Sequence, residues 1–331
     1  MQRMNDQEIC RGVYVGIDTS NYTTSLAVCD EQGSVLSNWK APLPVKSGEC
    51  GLRQSDAVFA HVKNLPGLMD QLKELLHPAI GQALTLKGVG YSATPRPVTD
   101  SYMPCFLTGE VAAMALASGV DAPIRAFSHQ EGHIMAALYS AGAMELTEEG
   151  QNEPFVAFHV SGGTTDVLLV RPREGRFEVE PLGTSEDLHA GQAVDRIGVR
   201  LGLDFPCGPA LERLAQACQT TVPKPRICVK GLSCHLSGLE NLAMALYQKT
   251  NDAALTAAYT LDFIGMTLLA MCDEIRCRYG SIPIVFSGGV MSNARIRKMI
   301  EKKHKAYFAQ PQFSSDNAAG IALLCRRSLQ D

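Results

Sequence analysis

From Val13 onward the chain alternates β-branched runs with short polar turns. VYVGID, the small polar turn TSNYT and TSLAVCD, over Val13 to Asp30, predict a hairpin whose connection is rich in hydroxyl and amide groups. Phe155 to Val170, FVAFHVSGGTTDVLLV, repeats the pattern, with SGGTT as the turn and DVLLV as the second strand. Two copies about 140 residues apart predict a duplicated architecture. A third strand with a Gly-Gly turn, IPIVFSGGVMSN at Ile282 to Asn293, runs into a helical ARIRKMIEKKHK. Lys87 to Ser92 predicts a short strand ahead of the Pro-rich loop ATPRP.

Between these units the period is helical. Ala57 to Leu76 places apolar residues three and four apart, which predicts a helix interrupted at Pro66. Phe106 to Leu116 and His129 to Tyr139 predict two more helices. Leu255 to Tyr279 is apolar on more than one face, as a buried helix is. The acidic stretch Met144 to Glu153 predicts a linker between lobes. Alternating strands and helices therefore predict an α/β protein in two related lobes, over residues 12–150 and 151–325.

Composition narrows the classes. A chain of 331 residues exceeds the roughly 150 that one ordinary core organises. Hydrophobic residues at 46% and charged residues at 19% exclude a largely disordered chain. Thirty basic against 34 acidic residues, a formal charge of −4, exclude a globally basic nucleic-acid coat protein. A local basic run remains, Arg295, Arg297, Lys298, Lys302, Lys303 and Lys305; a solvated helix face is its plain reading and a phosphodiester contact the sharper one. No apolar run approaches the roughly 20 residues needed to span a bilayer, and the opening residues lack a signal peptide's apolar core. Eleven cysteines without a CxxC pair read as reduced thiols, so a cytoplasmic location with no membrane partner is expected.

The candidate chemistry begins with the Gly-rich turns. In SGGTT and FSGGV, paired glycines permit positive φ and let backbone N–H groups approach an anion such as phosphate. One such turn is weak evidence, because hairpins favour glycine anyway. Two of them plus TSNYTTS, each after an apolar strand, point to a phosphate clamp; no GxxxxGK[ST] string supports a P-loop. In SHQEGH, His129 and His133 lie one helical turn apart, spaced to share a metal or simply to line a solvated face. Glu131 follows His129 by two positions and so points about 200° away, the wrong order for a zincin base. Metalloprotease is disfavoured. A candidate third ligand is Asp316 in FSSDNAAGIALL, although taken alone the segment favours the plain reading of a helix N-cap. Two histidines and one carboxylate suit iron(II) or zinc. Asp195 suits ribose hydroxyls, and Gly208 in PCGP would let a ring lie against backbone; a capped amphipathic helix ending in a turn explains the segment equally well. Cys207 has no basic neighbour in sequence and reads as an inert thiol.

In this order the motifs resemble the tRNA adenosine threonylcarbamoyltransferase family, long labelled glycoprotease or O-sialoglycoprotein endopeptidase, over about residues 12 to 325. GVYVGIDTSNYTTSLAV is similar to its opening phosphate motif, AHVKNLPGLMDQ to its His-x-x-x-Leu-Pro helix, SHQEGH to its HxEGH metal motif and VSGGTTD to its GGHTQ loop. HAGQAVDRIGVRLGLDFPCGPALERLA is similar to AGEAFDK…PGGPALE, LSGLEN to FSGLK, FSGGVMSN to GGVxxN and SSDNAAGIA to TDNxAMIA.

The resemblance implies two lobes of the sugar-kinase/actin/chaperone-ATPase fold. It implies a divalent metal on His129, His133 and Asp316, and an adenine nucleotide (ATP, AMP or threonylcarbamoyl-AMP) contacted by Gly162, Gly163, Asp195, Gly208 and Asn293. The implied activity moves threonylcarbamoyl from threonylcarbamoyl-AMP to N6 of adenosine in tRNA, with a smaller actin-like paralogue and an ATPase as partners. Asp166 is the candidate base, by its place beside the Gly-Gly turn, and Asp187 falls just before a matched block. Tyr22 and Thr23 replace the family's acidic pair, Thr164 its loop histidine, Asp166 the glutamine that follows, SATPRPVTD with Arg96 its GPGLPGS loop, and Glu240 its FSGLK lysine. Carbamoyl transfer to a small metabolite, or a non-catalytic nucleotide-binding paralogue that scaffolds or regulates, are the alternatives.

Overall fold

The computed structural model describes residues 11–20, 22–44, 52–79, 83–147 and 153–330. Its contacts divide the chain into two compact units: Met1–Ala136 with Glu174–Arg176 and Asp316–Asp331, and Ala137–Arg173 with Phe177–Ser315. The predicted first hairpin is β1 (Arg11–Ser20) and β2 (Thr23–Asp30), closed tightly at Ser20 and Thr23. There follow β3 (Val35–Pro42), α1 (Gln54–Leu76), β4 (Leu84–Thr94), α2 (Phe106–Val120), β5 (Ile124–Ser128) and α3 (His129–Ala141), whose last residues pass into the second unit. The first sheet runs β3-β2-β1-β4-β5, antiparallel through β3, β2 and β1 and parallel from β1 to β5.

Alternation along β1 decides what each face packs against. Val13, Val15 and Ile17 join Leu26 and Val28 in a core covered by Leu65, Leu68 and Leu72 of α1 and by Ala113 and Ala117 of α2. The expected interruption at Pro66 does not occur: α1 continues through it. A mid-helix proline costs about 3 kcal/mol, but burying each leucine returns about 1.5–3 kcal/mol. The buried stripe His61, Leu65, Leu68 and Leu72 holds the helix on both sides of an exposed proline.

The second unit begins at Ala137 and includes a 3-10 turn, Met144–Thr147, at the start of the expected linker; residues 148–152 lie outside the described residues. It contains β6 (Phe155–Val160), β7 (Thr165–Arg173), β8 (Arg176–Thr184), α4 (Ala190–Arg200), α5 (Gly208–Gln216), and the short pair β9 (Cys228–Lys230) and β10 (Ser233–His235). Then come α6 (Ser237–Thr250), α7 (Ala253–Tyr279), β11 (Ile284–Ser287), a 3-10 turn at Gly289–Ser292, α8 (Ala294–Glu301), β12 (Tyr307–Phe308) and α9 (Pro311–Ser314). Its sheet, β12-β11-β6-β7-β8, repeats the first sheet's pattern of strands, as the sequence repeat predicted. The last helix, α10 (Ala319–Gln330), belongs to the first unit.

Helix α7 differs from the reading that no stretch is long and apolar enough for a membrane. It passes that test with a mean hydropathy of 1.5, yet 78% of the apolar window is buried. Leu261, Phe263, Ile264, Leu268 and Met271 join Val156 and Phe158 in the second unit's core, so α7 is that unit's central helix.

Candidate functional site

In the first unit the site grows from the end of the central strand, β1. Asp18, on the face of β1 opposite the leucine core, is completely buried. A buried carboxylate is costly unless hydrogen bonds surround it. Ser20 Oγ donates to it at 2.7 Å, Ser92 Oγ of β4 donates to its other oxygen, and His129 Nδ1 lies 3.0 Å from that oxygen. His129 is the first residue of α3, immediately after β5, so the sheet sets its position. Ser128 and Glu131 close the helix as a capping box: the Glu131 carboxylate accepts the Ser128 N–H at 2.7 Å, and Ser128 Oγ accepts the Glu131 N–H at 3.2 Å. Arg176 reaches the same carboxylate at 3.4 Å. Glu131 is thereby a structural cap, in agreement with the rejection of a zincin base.

One turn along α3, His133 Nε2 stands 2.9 Å from His129 Nε2. Asp316 Oδ1 lies 3.4 Å from the first and 3.7 Å from the second. Asp316 is not the N-cap of α10, the plain reading of SSD; Asn317 Oδ1 accepts the Ala319 N–H at 3.1 Å instead. Glycine makes this meeting of helices feasible: a Cβ on Gly320 would overlap the Gly132 carbonyl oxygen, so only a bare backbone lets α10 approach α3 so closely.

The three ligand atoms fall within 4.8 Å of one another, and the group can hold a metal ion. Donors about 2.1 Å from one cation sit roughly 3.0–3.4 Å apart, close to the spacings seen. Asp18 supplies the carboxylate partner that a metal-binding histidine usually has on its other nitrogen. Burial would push His129 down, but the charge and hydrogen bond of Asp18, with Asp316 adding, push it up to about 9 in the metal-free protein. Burial and the His129 charge hold His133 below its ordinary value. Asp18 is lowered despite its burial, by His129 and Ser92.

Two features near this centre were missed in the sequence. Asp18 stands inside GVYVGIDTSNY, where a single acid in a β-branched run was the available signal. Lys40 of β3 pairs in register with Ser25, which pairs with Asp18, so the three form a row across the sheet. Burial lowers the Lys40 ammonium, against the pull of Asp316. The substituted loop also lies against α3, because the Pro95 carbonyl accepts the Gln130 N–H at 3.1 Å; Arg96 follows it. Tyr22 is exposed at the β1–β2 turn, and its carbonyl accepts the Leu43 N–H at 2.8 Å.

The remaining candidates lie in the second unit. Gly162 and Gly163 form the β6–β7 turn, and the second Gly-Gly turn follows β11. The expected positive φ is found at Gly288 (94°) and not at Gly162 or Gly163. Gly191 at the head of α4 packs so tightly that its Cβ would come 2.6 Å from Gly162 Cα. In contrast, a Cβ on Gly162, Gly163, Gly208 or Gly289 would meet nothing within 4 Å. Neither packing nor a left-handed backbone demands glycine at those four positions, which leaves room for a ligand.

Asp195 accepts the Cys207 N–H at 2.8 Å, and burial raises its pKa. Cys207 is a buried thiol raised by burial and by Asp195, as an inert cysteine should be. Asn293 caps α8 by accepting the Arg295 and Ile296 N–H groups at 3.1 Å, so the structure gives it a folding role as well. Asp166 is nearly buried and accepts the Thr184 hydroxyl at 2.8 Å. Asp187 caps the opening of α6, accepting from the Leu236 N–H at 2.8 Å and the Ser237 hydroxyl at 2.5 Å. Glu240 pairs with Arg200 at 2.9 Å and Arg196 at 3.8 Å.

Among solved structures, HypF from T. kodakarensis superposes with a TM-score of 0.60 at 14% identity, over 97% of this chain and 48% of that one. A full-length HypF in a phosphate- and nucleotide-bound form gives 0.58 at 10%, over 98% and 47%. This chain thus spans about half the length of either HypF. A ROK family glucokinase from Streptomyces griseus, in complex with glucose and AMPPNP, gives 0.51 at 13%, over 97% and 100%. At such identities these likenesses establish the actin-like sugar-kinase fold. The family model described as TsaD, tRNA N6-adenosine threonylcarbamoyltransferase, matches residues 55–323, from the start of α1 to α10. The chain therefore belongs to the tRNA N6-adenosine threonylcarbamoyltransferase family, a family of carbamoyl transferases.

Proposed function

We propose that the protein moves a carbamoyl group from a carbamoyl-adenylate, threonylcarbamoyl-AMP in the family reaction, to the N6 amine of adenosine in tRNA. The observation that carries this reading is the convergence of His129, His133 and Asp316. A divalent cation held by them, iron(II) or zinc, would supply Lewis acidity toward an acyl or phosphate oxygen. Asp18 fixes the His129 ring through Nδ1 and leaves Nε2 turned toward His133. The lowered His133 favours the neutral imidazole that a ligand must be.

The open glycines Gly162, Gly163 and Gly208 leave space for the adenylate, and Asp195 is the candidate ribose contact. Nucleotides bound to HypF and to the ROK glucokinase support an adenine nucleotide on this fold. In the transfer the amine nitrogen bonds to the carbamoyl carbon, the carbon–oxygen bond to phosphate breaks, AMP leaves with that electron pair, and the amine loses a proton. An aryl-type amine is a weak nucleophile, so orientation carries much of the barrier reduction. Asp166 is the candidate proton acceptor, with Thr184 orienting its carboxylate.

A small-molecule acceptor is the second reading, favoured by one observation. Half of the basic run is spent on acids: Arg295 on Asp262, Arg297 on Glu301 and Lys303 on Asp273. The test incubates purified protein with threonylcarbamoyl-AMP, ATP and either tRNA or a panel of small amines, with and without a smaller actin-like subunit and an ATPase, and analyses digested nucleosides and amine products by mass spectrometry. Threonylcarbamoyladenosine supports the first reading. Transfer to a small amine but not to tRNA supports the second, and tight adenylate binding without transfer under any condition rejects both.

A further inference from the structure

The two duplicated hairpins can be laid on each other residue for residue, in the same register. Asp18 to Ser25 reads DTSNYTTS, and His159 to Asp166 reads HVSGGTTD. Asp18 pairs with Ser25 across the first hairpin, and His159 pairs with Asp166 across the second. His159 is thus the second unit's counterpart of the buried acid that organises the first. The likeness extends to the parallel neighbour of each strand. Ser92 of β4 donates to Asp18, and Ser287 of β11, which pairs with His159, has its Oγ 3.1 Å from the ring's Nδ1. His159 stands just ahead of VSGGTTD, the stretch similar to the family's glycine loop.

Hydrogen bonding fixes the ring. Ser287 Oγ donates its one proton to the Phe158 carbonyl at 3.2 Å, so it accepts from His159 Nδ1–H. Nε2 is then the nitrogen through which the ring meets a ligand. Phe158 and Val160 point into the core, so His159 lies on the other face of β6, half-buried. Asp166 is directly across the ladder, where Cβ atoms of paired residues stand about 5 Å apart, and Thr184 holds its carboxylate at 2.8 Å. An adjacent carboxylate favours the cationic form of an imidazole. Both Gly-Gly turns leave from this pair, one directly after Ser287 and the other at Gly162. A Cβ on Gly288 would lie 2.2 Å from the Val160 carbonyl oxygen, so the two turns emerge side by side, with open space at Gly162, Gly163 and Gly289.

We propose that His159 is a phosphate contact: its imidazolium, braced by Ser287, meets the phosphate of an adenylate held at the two Gly-Gly turns. Backbone N–H groups offer an anion partial charges, and the imidazolium adds a full one. The proposal rests on the adenylate part of the transferase reading and is independent of the acceptor.

Calorimetry of the full chain with AMP and with adenosine tests it. The natural sequence should bind AMP about tenfold or more tighter than adenosine. His159→Leu should lose about tenfold or more of the affinity for AMP while the affinity for adenosine changes less than about twofold. Should the leucine variant fail to fold, His159→Asn keeps a donor for Ser287 without the charge, and the same selective loss is expected. An AMP preference that survives in the variants overturns the proposal and leaves the adenylate reading standing. A natural sequence without any preference for AMP overturns both. Equal losses for AMP and adenosine would assign His159 to the fold and overturn the proposal.

Discussion

The two units carry the same five-stranded platform and use it differently. Each has three antiparallel strands followed by two parallel ones, β3-β2-β1-β4-β5 in the first and β8-β7-β6-β11-β12 in the second. In the first, a charged residue is buried near the end of the leading strand, and the hairpin closes between Ser20 and Thr23. Asp18 then needs partners, and those partners orient a histidine. In the second, the leading strand has no acid, and its hairpin opens to the longer SGGT turn between Val160 and Thr165. The backbone plan is common to both; a buried Asp18 with its polar partners at the end of the central strand marks one unit, and a longer Gly-Gly turn marks the other.

The largest expected effect tests the first half of that contrast. His129→Ala with His133→Ala should remove bound metal altogether, read by elemental analysis of the purified protein; retained metal would refute the ligand assignment. Next comes the orienting carboxylate. Asp18→Asn keeps the shape but loses the charge, and metal titration should show affinity lowered about 10–100-fold.

The second half is tested with a pair of glycines. Gly191→Ala should destabilise by about 2 kcal/mol or more, because its Cβ meets Gly162 backbone at 2.6 Å. Gly162→Ala should leave the melting temperature nearly unchanged yet weaken AMP binding about tenfold or more, measured by calorimetry. Equal losses of stability in the two would show that Gly162 serves the fold rather than a ligand.

The smallest effect concerns pH. Hydrogen bonds from the Ser237 hydroxyl and from backbone N–H groups outweigh desolvation and hold Asp187 at about 2, below the ordinary carboxylate range. A depressed carboxyl stabilises the fold above its unfolded pKa and loses that contribution as pH falls through the folded value. Thermal melts should therefore show stability declining from about pH 4 to pH 2, with a flatter decline in Asp187→Asn.

Much of the fold was legible because its signals are local. The two hairpins and the Gly-Gly turns are written in short runs, and the repeat of one pattern reveals the repeat of a sheet. His129 and His133 were legible for the same reason, since one helical turn sets their distance. Pro66 misled because a local cost was weighed without the leucines that override it. Gly162 and Gly163 misled in another way: the glycines serve open space rather than positive φ. Asp316 was visible both as a helix cap and as a candidate third ligand, and no local signal chose between the two.

By itself the amino-acid order determined the alternation of strands and helices, the duplicated platform and the pair of imidazoles, because period and turn chemistry act over a few residues. Tertiary structure alone decided that Asp18 would hold one imidazole, that Asn317 rather than Asp316 would cap α10, and that Asp316 would arrive beside residues nearly two hundred positions earlier. The reason is physical. A long-range meeting depends on how closely two helices can pass, and at Gly132 and Gly320 that distance is set by side chains that are not there.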